Sequence, residues 1–253
     1  MIQENSSLLP YNTFGIDVKA KRLGVFNDIE SLRDLLSQKN EDELLIIGGG
    51  SNLLLTKDFD GLVLKNEIKG IHVISENDKE VLISAGAGEN WHAFVMHCIN
   101  NNWAGIENLS LIPGSVGASP MQNIGAYGHE VSEFITRVRT YDRELKEIYT
   151  FTNSQCEFTY RNSYFKAHPG RYVVLDVQFQ LRIGEFSAPI TYLELSKKLG
   201  IEPGDKAPVV ATRAAVLELR ASKGMLLSPD DHDSWSAGSF FTNPIISQQA
   251  ADA

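Results

Sequence analysis

The sequence predicts an α+β fold in two lobes, residues 1–65 and 66–184, with residues 185–253 beginning a further domain. Three observations carry that expectation. Short apolar strands and amphipathic helical patterns are interleaved through the N-terminal part. Glycine-rich turns follow two of those strands. Finally, Val131 to Leu181 alternates apolar and polar residues like a set of paired strands. At 253 residues, with 43% hydrophobic and 22% charged content, the chain can bury more than one core.

The elements follow in order. Asn27 and Glu30 fit a helix capping box, and Leu32, Leu35 and Leu36 then recur at helical spacing. Leu44-Leu45-Ile46-Ile47 is a wholly apolar run of strand length. It leads into Gly48-Gly49-Gly50-Ser51-Asn52 and a second run, Leu53-Leu54-Leu55, which reads as strand, glycine turn, strand. A Rossmann fingerprint needs a helix after its glycines, whose N-terminus receives the pyrophosphate. These glycines suit instead a nest of backbone N–H groups around an anion; on their own, a plain tight turn explains them equally well.

Glu80 to Ala85 reads as a strand ending in Gly86-Ala87-Gly88. Trp91, Phe94, Val95, Cys98 and Ile99 mark one face of a helix that stops at Asn100-Asn101-Asn102. His92 and His97 ride on it as solvated or core-edge histidines. Leu111 to Pro120 and Gln122 to Gly128 then form a long stretch of small and amide residues. Such a backbone can approach a flat ligand closely, and its hydroxyls and amides can bond the ligand's polar edge. A loop of that length in a compact domain points to a ligand. Strands are expected at Val138–Tyr141, Glu147–Tyr149 and Tyr172–Phe179. Gly184 to Pro189 reads as a linker. Helices follow at Tyr192–Leu199 and Val210–Lys223, with Pro208 near the start of the second.

Net charge is −9, which argues against nucleic acid or an anionic membrane as partner. No apolar run reaches bilayer-spanning length, and Met1–Ser7 is no secretory signal, so the cytoplasm is the expected compartment. Cys98 and Cys156 form neither a redox nor a metal-spaced pair, and no metal is expected.

Two polar clusters carry reactive groups. In Ser236-Ala237-Gly238-Ser239-Phe240-Phe241-Thr242-Asn243-Pro244 a hydroxyl sits among glycine and aromatic rings, as in a small, water-poor pocket. In Tyr160-Arg161-Asn162-Ser163 the arginine offers a rigid fork for carboxylate or phosphate. With the glycine loops, these clusters point to a flavoenzyme.

In chain order, Asn12-Thr13-Phe14, Gly48–Asn52, Gly86–Glu89, Ile112–Gly117, Gln122–Gly128, Tyr160–Ser163 and Gly238–Pro244 resemble the motifs of the UDP-N-acetylenolpyruvoylglucosamine reductase family. The resemblance implies a flavin-binding module of the vanillyl-alcohol-oxidase type with a C-terminal substrate domain. It implies non-covalent FAD, NADPH as hydride donor, and a UDP-sugar substrate converted to UDP-N-acetylmuramate for peptidoglycan. The implied FAD cradle is Gly48, Gly49, Gly50, Ser51 and Asn52, with Gly114, Ser115, Gly117, Ala118, Ser119, Gln122, Asn123, Gly125, Ala126, Tyr127 and Gly128. Arg161 and Ser239 match two of three catalytic residues. Tyr192, Lys223 and Asn243 stand where the family meets the nucleotide sugar. Two departures accompany the match. Thr242 replaces a lysine common in the family, and the third catalytic residue, a C-terminal glutamate, has no counterpart before Ala253; a C-terminally truncated chain with weak turnover is expected.

By that resemblance, hydride adds to the terminal carbon of an enol ether and leaves negative charge on the neighbouring carbon and its carboxylate. Arg161 would stabilise the charge by preorganised electrostatics, and Ser239 would return a proton to carbon. Two alternatives stand beside this reading. One is a sugar or alcohol oxidase of the same flavin fold. Many of those tether FAD through histidine, whereas none of His72, His92, His97 or His129 lies in the matched glycine loops. The other is a non-catalytic flavin-binding module.

Overall fold

The computed structural model describes residues 1–228, 230–235 and 242–251. Its first lobe is one four-stranded sheet. β1 (Ile2–Ser7) pairs antiparallel with β2 (Lys19–Phe26). Then come α1 (Ile29–Ser37), β3 (Glu43–Ile47) and β4 (Phe59–Asn66). β4 lies between β2 and β3 and runs parallel to both. Parallel strands require crossovers: α1 carries the chain from β2 past the central position to β3, and residues 48–58 return it to β4 between them.

Two local expectations are corrected here. The cap of α1 is Asp28, not Asn27, and its box partner is Ser31, not Glu30. Asp28 has the extended backbone that aims its carboxylate at the Ser31 N–H, 2.7 Å away, while the Ser31 hydroxyl accepts from the Asp28 N–H. Leu53–Leu55 is not a strand. β3 is a sheet edge whose paired side is taken by β4, so the run packs Leu53 and Leu55 on the lobe's core without joining the ladder.

The second lobe begins with β5 (Ile71–Glu76), β6 (Glu80–Gly86), α2 (Trp91–Asn100) and the short β7 (Trp103–Ala104). A small hairpin of β8 (Gly125–Ala126) and β9 (His129–Glu130) precedes β10 (Ile135–Asp142) and β11 (Glu147–Thr152). α3 (Tyr164–Ala167) and β12 (Tyr172–Ile183) complete it. The antiparallel sheet has the order β11-β10-β12-β6-β5, with β7 on the end of β12. The apolar face of α2 lies on this sheet: Trp91, Phe94, Val95 and Cys98 are buried, and Phe94 meets Phe179 of β12 at 4.8 Å. Each such side chain contributes about 1.5–3 kcal/mol by burial.

The lobes share a core rather than merely touching. Phe26, Leu32, Leu35, Leu62 and Leu64 of the first pack with Tyr141, Val173 and Leu175 of the second. Asn66 Nδ2 donates to the Val174 carbonyl at 2.9 Å across the same seam. Beyond β12, α4 (Leu193–Leu199) and α5 (Val209–Ala221) enclose a small core of Ile190, Leu195, Ala207, Ala215, Val216 and Leu219. Pro208 is the residue that opens α5, where its missing N–H costs nothing. A short α6 (Gln248–Ala251) is the last element. Among the described residues, no helix is long and apolar enough to cross a membrane.

Candidate functional site

A cleft of about 340 Å³ opens where the end of β3 meets the loop after α2. Ile46–Leu53 form one wall, and Ile112, Pro113, Ser115, Ala118, Ser119, Met121, Gln122 and Ile124 form the other. Trp91 and Lys166 close it. A second chamber of about 120 Å³ adjoins it, sharing Gly48, Ser115 and Ala118 and reaching Asn66, Gly117, Tyr172 and Val174.

The two predicted glycine loops thus face each other, and the glycines are needed for that. A Cβ on Gly49 would stand 2.6 Å from Gly114 Cα, and one on Gly50, whose φ is +66°, would strike the Tyr11 carbonyl. Ser51 Oγ donates to the Pro113 carbonyl at 3.0 Å, and Asn52 Nδ2 to Gln122 Oε1 at 3.2 Å. Among the described residues, the backbone N–H groups of Gly49, Gly50, Ser51 and Asn52 donate to no protein acceptor. A row of unused N–H groups beside a cleft is an anion cradle. It fits the diphosphate of a dinucleotide.

Of the residues proposed from the sequence, Gly48, Gly49, Gly50, Ser51, Asn52, Ser115, Ala118, Ser119 and Gln122 come together to line the cleft. Gly114 stands behind it against Gly49, and Gly117 lines the smaller chamber with its N–H on the Ala87 carbonyl, 2.9 Å away. Asn123, Gly125, Ala126, Tyr127 and Gly128 do not line it. Gly125 to Gly128 form β8 and its turn into β9, beside Arg161 and Tyr192, and Asn123 precedes them. The Asn123 amide is spent within the protein: Nδ2 donates to Glu130 Oε2 at 2.7 Å and the Thr159 carbonyl at 3.1 Å, and Oδ1 accepts from the Ser132 N–H.

Arg161 is held from several sides. Its Nη2 donates to the Gly125 carbonyl at 2.7 Å and Nη1 to the Asn123 carbonyl at 3.1 Å, with Glu130 Oε1 at 3.4 Å. The Tyr160 ring lies under the guanidinium at 4.9 Å. With 26% of its side chain exposed, Arg161 can still meet an anion. Its φ of +53° is unusual for a side-chain-bearing residue and costs typically about 1–3 kcal/mol. The mutual Thr159–Asn162 hydrogen bonds, both 3.1 Å, close the turn that imposes it.

Tyr192 meets Tyr127 edge-on at 5.5 Å, and Lys223 Nζ pairs with Glu194 Oε2 at 2.6 Å. Burial pushes the Tyr127 phenol upward, against the opposing pull of the nearby Arg220 and Lys223 charges. The buried Arg220 Nε has no partner among the described residues. Asn243 is exposed, and Ser239 lies outside the described residues.

Sequence reasoning missed Lys166 and Trp91; the apolar walls Ile112, Met121 and Ile124 fall in or between the loop segments it singled out, but not among its site residues. For Lys166 a signal existed: Ser163 caps α3 by accepting from the Lys166 N–H at 3.3 Å, so the cluster extends one helical turn further.

A family profile described as an FAD binding domain matches residues 26–144. The UDP-N-acetylenolpyruvoylglucosamine reductase of Cutibacterium acnes is 45% identical over 247 residues, covering 96% of this chain and 66% of the relative. The protein of that name from Pseudomonas putida is 42% identical over 246 residues, covering 96% and 71%. Against the first of these, the chain spans just under two thirds of the relative's length. The crystal structure of UDP-N-acetylenolpyruvylglucosamine reductase from Thermus caldophilus superposes with a TM-score of 0.68 at 21% identity, over 96% of this chain and 76% of that one. A solvent-stable cholesterol oxidase superposes at 0.53 with 13% identity, over 80% and 42%. These two likenesses show the fold, a two-lobed α+β architecture, and the profile match marks its residues 26–144 as an FAD binding domain. Identity above 40% along nearly the whole chain shows more: the chain belongs to the UDP-N-acetylenolpyruvoylglucosamine reductase family.

Proposed function

We infer that this protein binds FAD non-covalently in the cleft and, with NADPH, reduces the enolpyruvyl group of UDP-N-acetylglucosamine enolpyruvate. The product, UDP-N-acetylmuramate, feeds peptidoglycan synthesis in the cytoplasm, and through it wall growth, cell shape and division. One observation carries the reading: two glycine loops far apart in sequence close on a single cleft, with four N–H groups beside it that have no acceptor among the described residues.

The residues divide the work. Backbone N–H groups of Gly49 to Asn52 hold the cofactor's diphosphate, while Trp91, Ile112 and Ile124 keep water from its apolar part. When bound, FAD would supply the hydride chemistry, with NADPH as the proposed reductant. Arg161, oriented by the Asn123 and Gly125 carbonyls, receives the substrate carboxylate and the charge that develops on it. Ser239 returns the proton to carbon. Tyr192, Lys223 and Asn243 hold the nucleotide sugar. None of the described cleft-lining residues is a histidine, which supports a non-covalent cofactor over the tethered flavin of many oxidases.

The test is spectroscopic. Purified protein should be yellow, release all flavin on denaturation, bleach with NADPH and recover colour when the enolpyruvyl substrate is added under anaerobic conditions. Bleaching without recovery would leave only a flavin reductase, and a colourless protein that cannot be loaded would end the flavin reading.

A further inference from the structure

We propose that Lys166 is a positioning residue for Arg161, tying the arginine turn to the wall of the cofactor cleft. The proposal rests on the functional reading above only for what Arg161 does. Lys166 belongs to both places. Its side chain lines the cleft opposite the glycine loop, and its Nζ donates to the Arg161 carbonyl at 3.0 Å. That carbonyl follows the φ of +53°, in a turn position that glycine or asparagine usually fills. An arginine there needs its surroundings to hold it.

The guanidinium end is held by Asn123, Gly125 and Glu130, as described. The backbone end has two restraints: the Thr159–Asn162 closure and the Lys166 ammonium. Lys166 is itself fixed to the cleft. Ser163 Oγ accepts from the Lys166 N–H and donates to the carbonyl of Met121, a cleft-lining residue, at 2.6 Å. The Asn123 side chain adds a second tie, bonding the Thr159 carbonyl of the same turn. An ammonium on a backbone carbonyl is a charge-assisted bond, stronger than a neutral one. So the wall that receives the cofactor and the turn that presents Arg161 move as one piece, with Lys166 as the joint.

The experiment compares Lys166→Met and Lys166→Arg with the parent protein. The first readout is hydrogen exchange at the Asn162 amide, which closes the turn and needs neither flavin nor turnover. The second is the dissociation constant of the enolpyruvyl substrate for the oxidised flavoprotein, read from the flavin absorbance. Lys166→Met should raise both by about tenfold, the loss of one charge-assisted hydrogen bond, at unchanged flavin content. Lys166→Arg should recover most of each, since a guanidinium can reach the same carbonyl. Unchanged exchange in Lys166→Met, or failure of Lys166→Arg to recover it, would overturn the proposal. Flavin loss in proportion to the substrate effect would overturn it too, by making Lys166 a cofactor ligand. If the parent protein bound no flavin, the functional reading would fail, and the exchange comparison alone would decide this one.

Discussion

The cofactor cleft and the Arg161 turn lie close together and are built on opposite principles. The cleft is largely a surface of backbone: Gly49 packs on Gly114, and a row of peptide N–H groups joins the hydroxyls and amides of Ser51, Asn52, Ser115, Ser119 and Gln122. The Arg161 turn is made of side chains: Arg161, Asn123, Glu130 and Lys166, bonded to backbone carbonyls and to the Glu130 carboxylate. The first tolerates almost no added atom. The second depends on charge and reach, and should tolerate added volume while failing on lost charge. That difference predicts which substitutions damage binding of the flavin and which damage its reoxidation.

The largest effect should come from filling the cleft wall. Gly49→Val places a side chain where Gly114 Cα stands 2.6 Å from the first added carbon, with only backbone there to yield. Flavin content should fall to near zero, with the two sheets intact by circular dichroism. Gly125→Val probes the other region: its Cβ meets the His129 carbonyl at 2.8 Å and the far end of the Arg161 side chain at 2.9 Å, away from the cleft. It should keep most flavin and slow reoxidation by substrate. Equal flavin loss in both variants would break the division between the two regions.

Next is the loss of charge at the turn. Arg161→Ala should leave reduction by NADPH nearly unchanged and slow reoxidation by the enolpyruvyl substrate by about 10²–10³, the usual cost of one preorganised donor. Arg161→Gly should be equally slow but about 1 kcal/mol more stable than Arg161→Ala, since glycine accepts the φ of +53° without strain. Stopped-flow traces and thermal melts separate the two statements. An alanine variant as stable as the glycine one would show the turn is unstrained.

The sequence revealed these regions unequally, for the same reason. Gly48–Asn52 and Gly114–Gln122 announce a backbone surface by composition, and Trp91–Ile99 shows its buried face by helical spacing. Nothing local says that Asn123 and Gly125, on either side of the cleft-lining Ile124, brace an arginine, because that depends on Thr159 and Arg161 arriving from elsewhere. β4 was equally silent: Phe59 and Asp60 begin it and Lys65 and Asn66 end it, so its apolar middle is short. The parallel β2-β4-β3 order comes from a crossover, a long-range fact that no window of residues contains.

A third prediction concerns the scaffold behind both regions. Burial alone would push the Asp142 carboxyl up, but the Arg171 guanidinium and the N–H groups of Leu145 and Glu144 outweigh it and hold it below the usual carboxylate value. Two Arg171 nitrogens reach Asp142 Oδ2, at 2.7 and 3.0 Å. A lowered carboxyl contributes stability that is present above its unfolded value near 3.8 and lost as pH falls through the folded value. Asp142→Asn should therefore cost about 1–3 kcal/mol at neutral pH and flatten the acid side of the stability curve below pH ~4. Denaturant melts at several pH values measure this. A parallel acid slope in variant and parent would remove Asp142 from that role.

The smallest effect belongs to the Lys223–Glu194 pair at the proposed nucleotide-sugar end. Its hydrogen bond to the Glu194 carboxylate raises the lysine above its ordinary 10.5, so its contribution is present below that value and lost as pH rises through the folded one. Both side chains are well exposed, at 37% and 42%, so water screens the pair. Glu194→Gln should then change stability by less than about 1 kcal/mol. Its informative consequence is elsewhere. The Glu194 carboxylate occupies the ammonium that a substrate phosphate would use, so removing it should lower the KM for the nucleotide sugar by a few-fold, with flavin content and kcat unchanged. The change should shrink with added salt, as an exposed charge effect must. A raised KM would show that Glu194 holds Lys223 in its working position instead of competing for it, and the pair would then join the Arg161 turn as a region built on side-chain support.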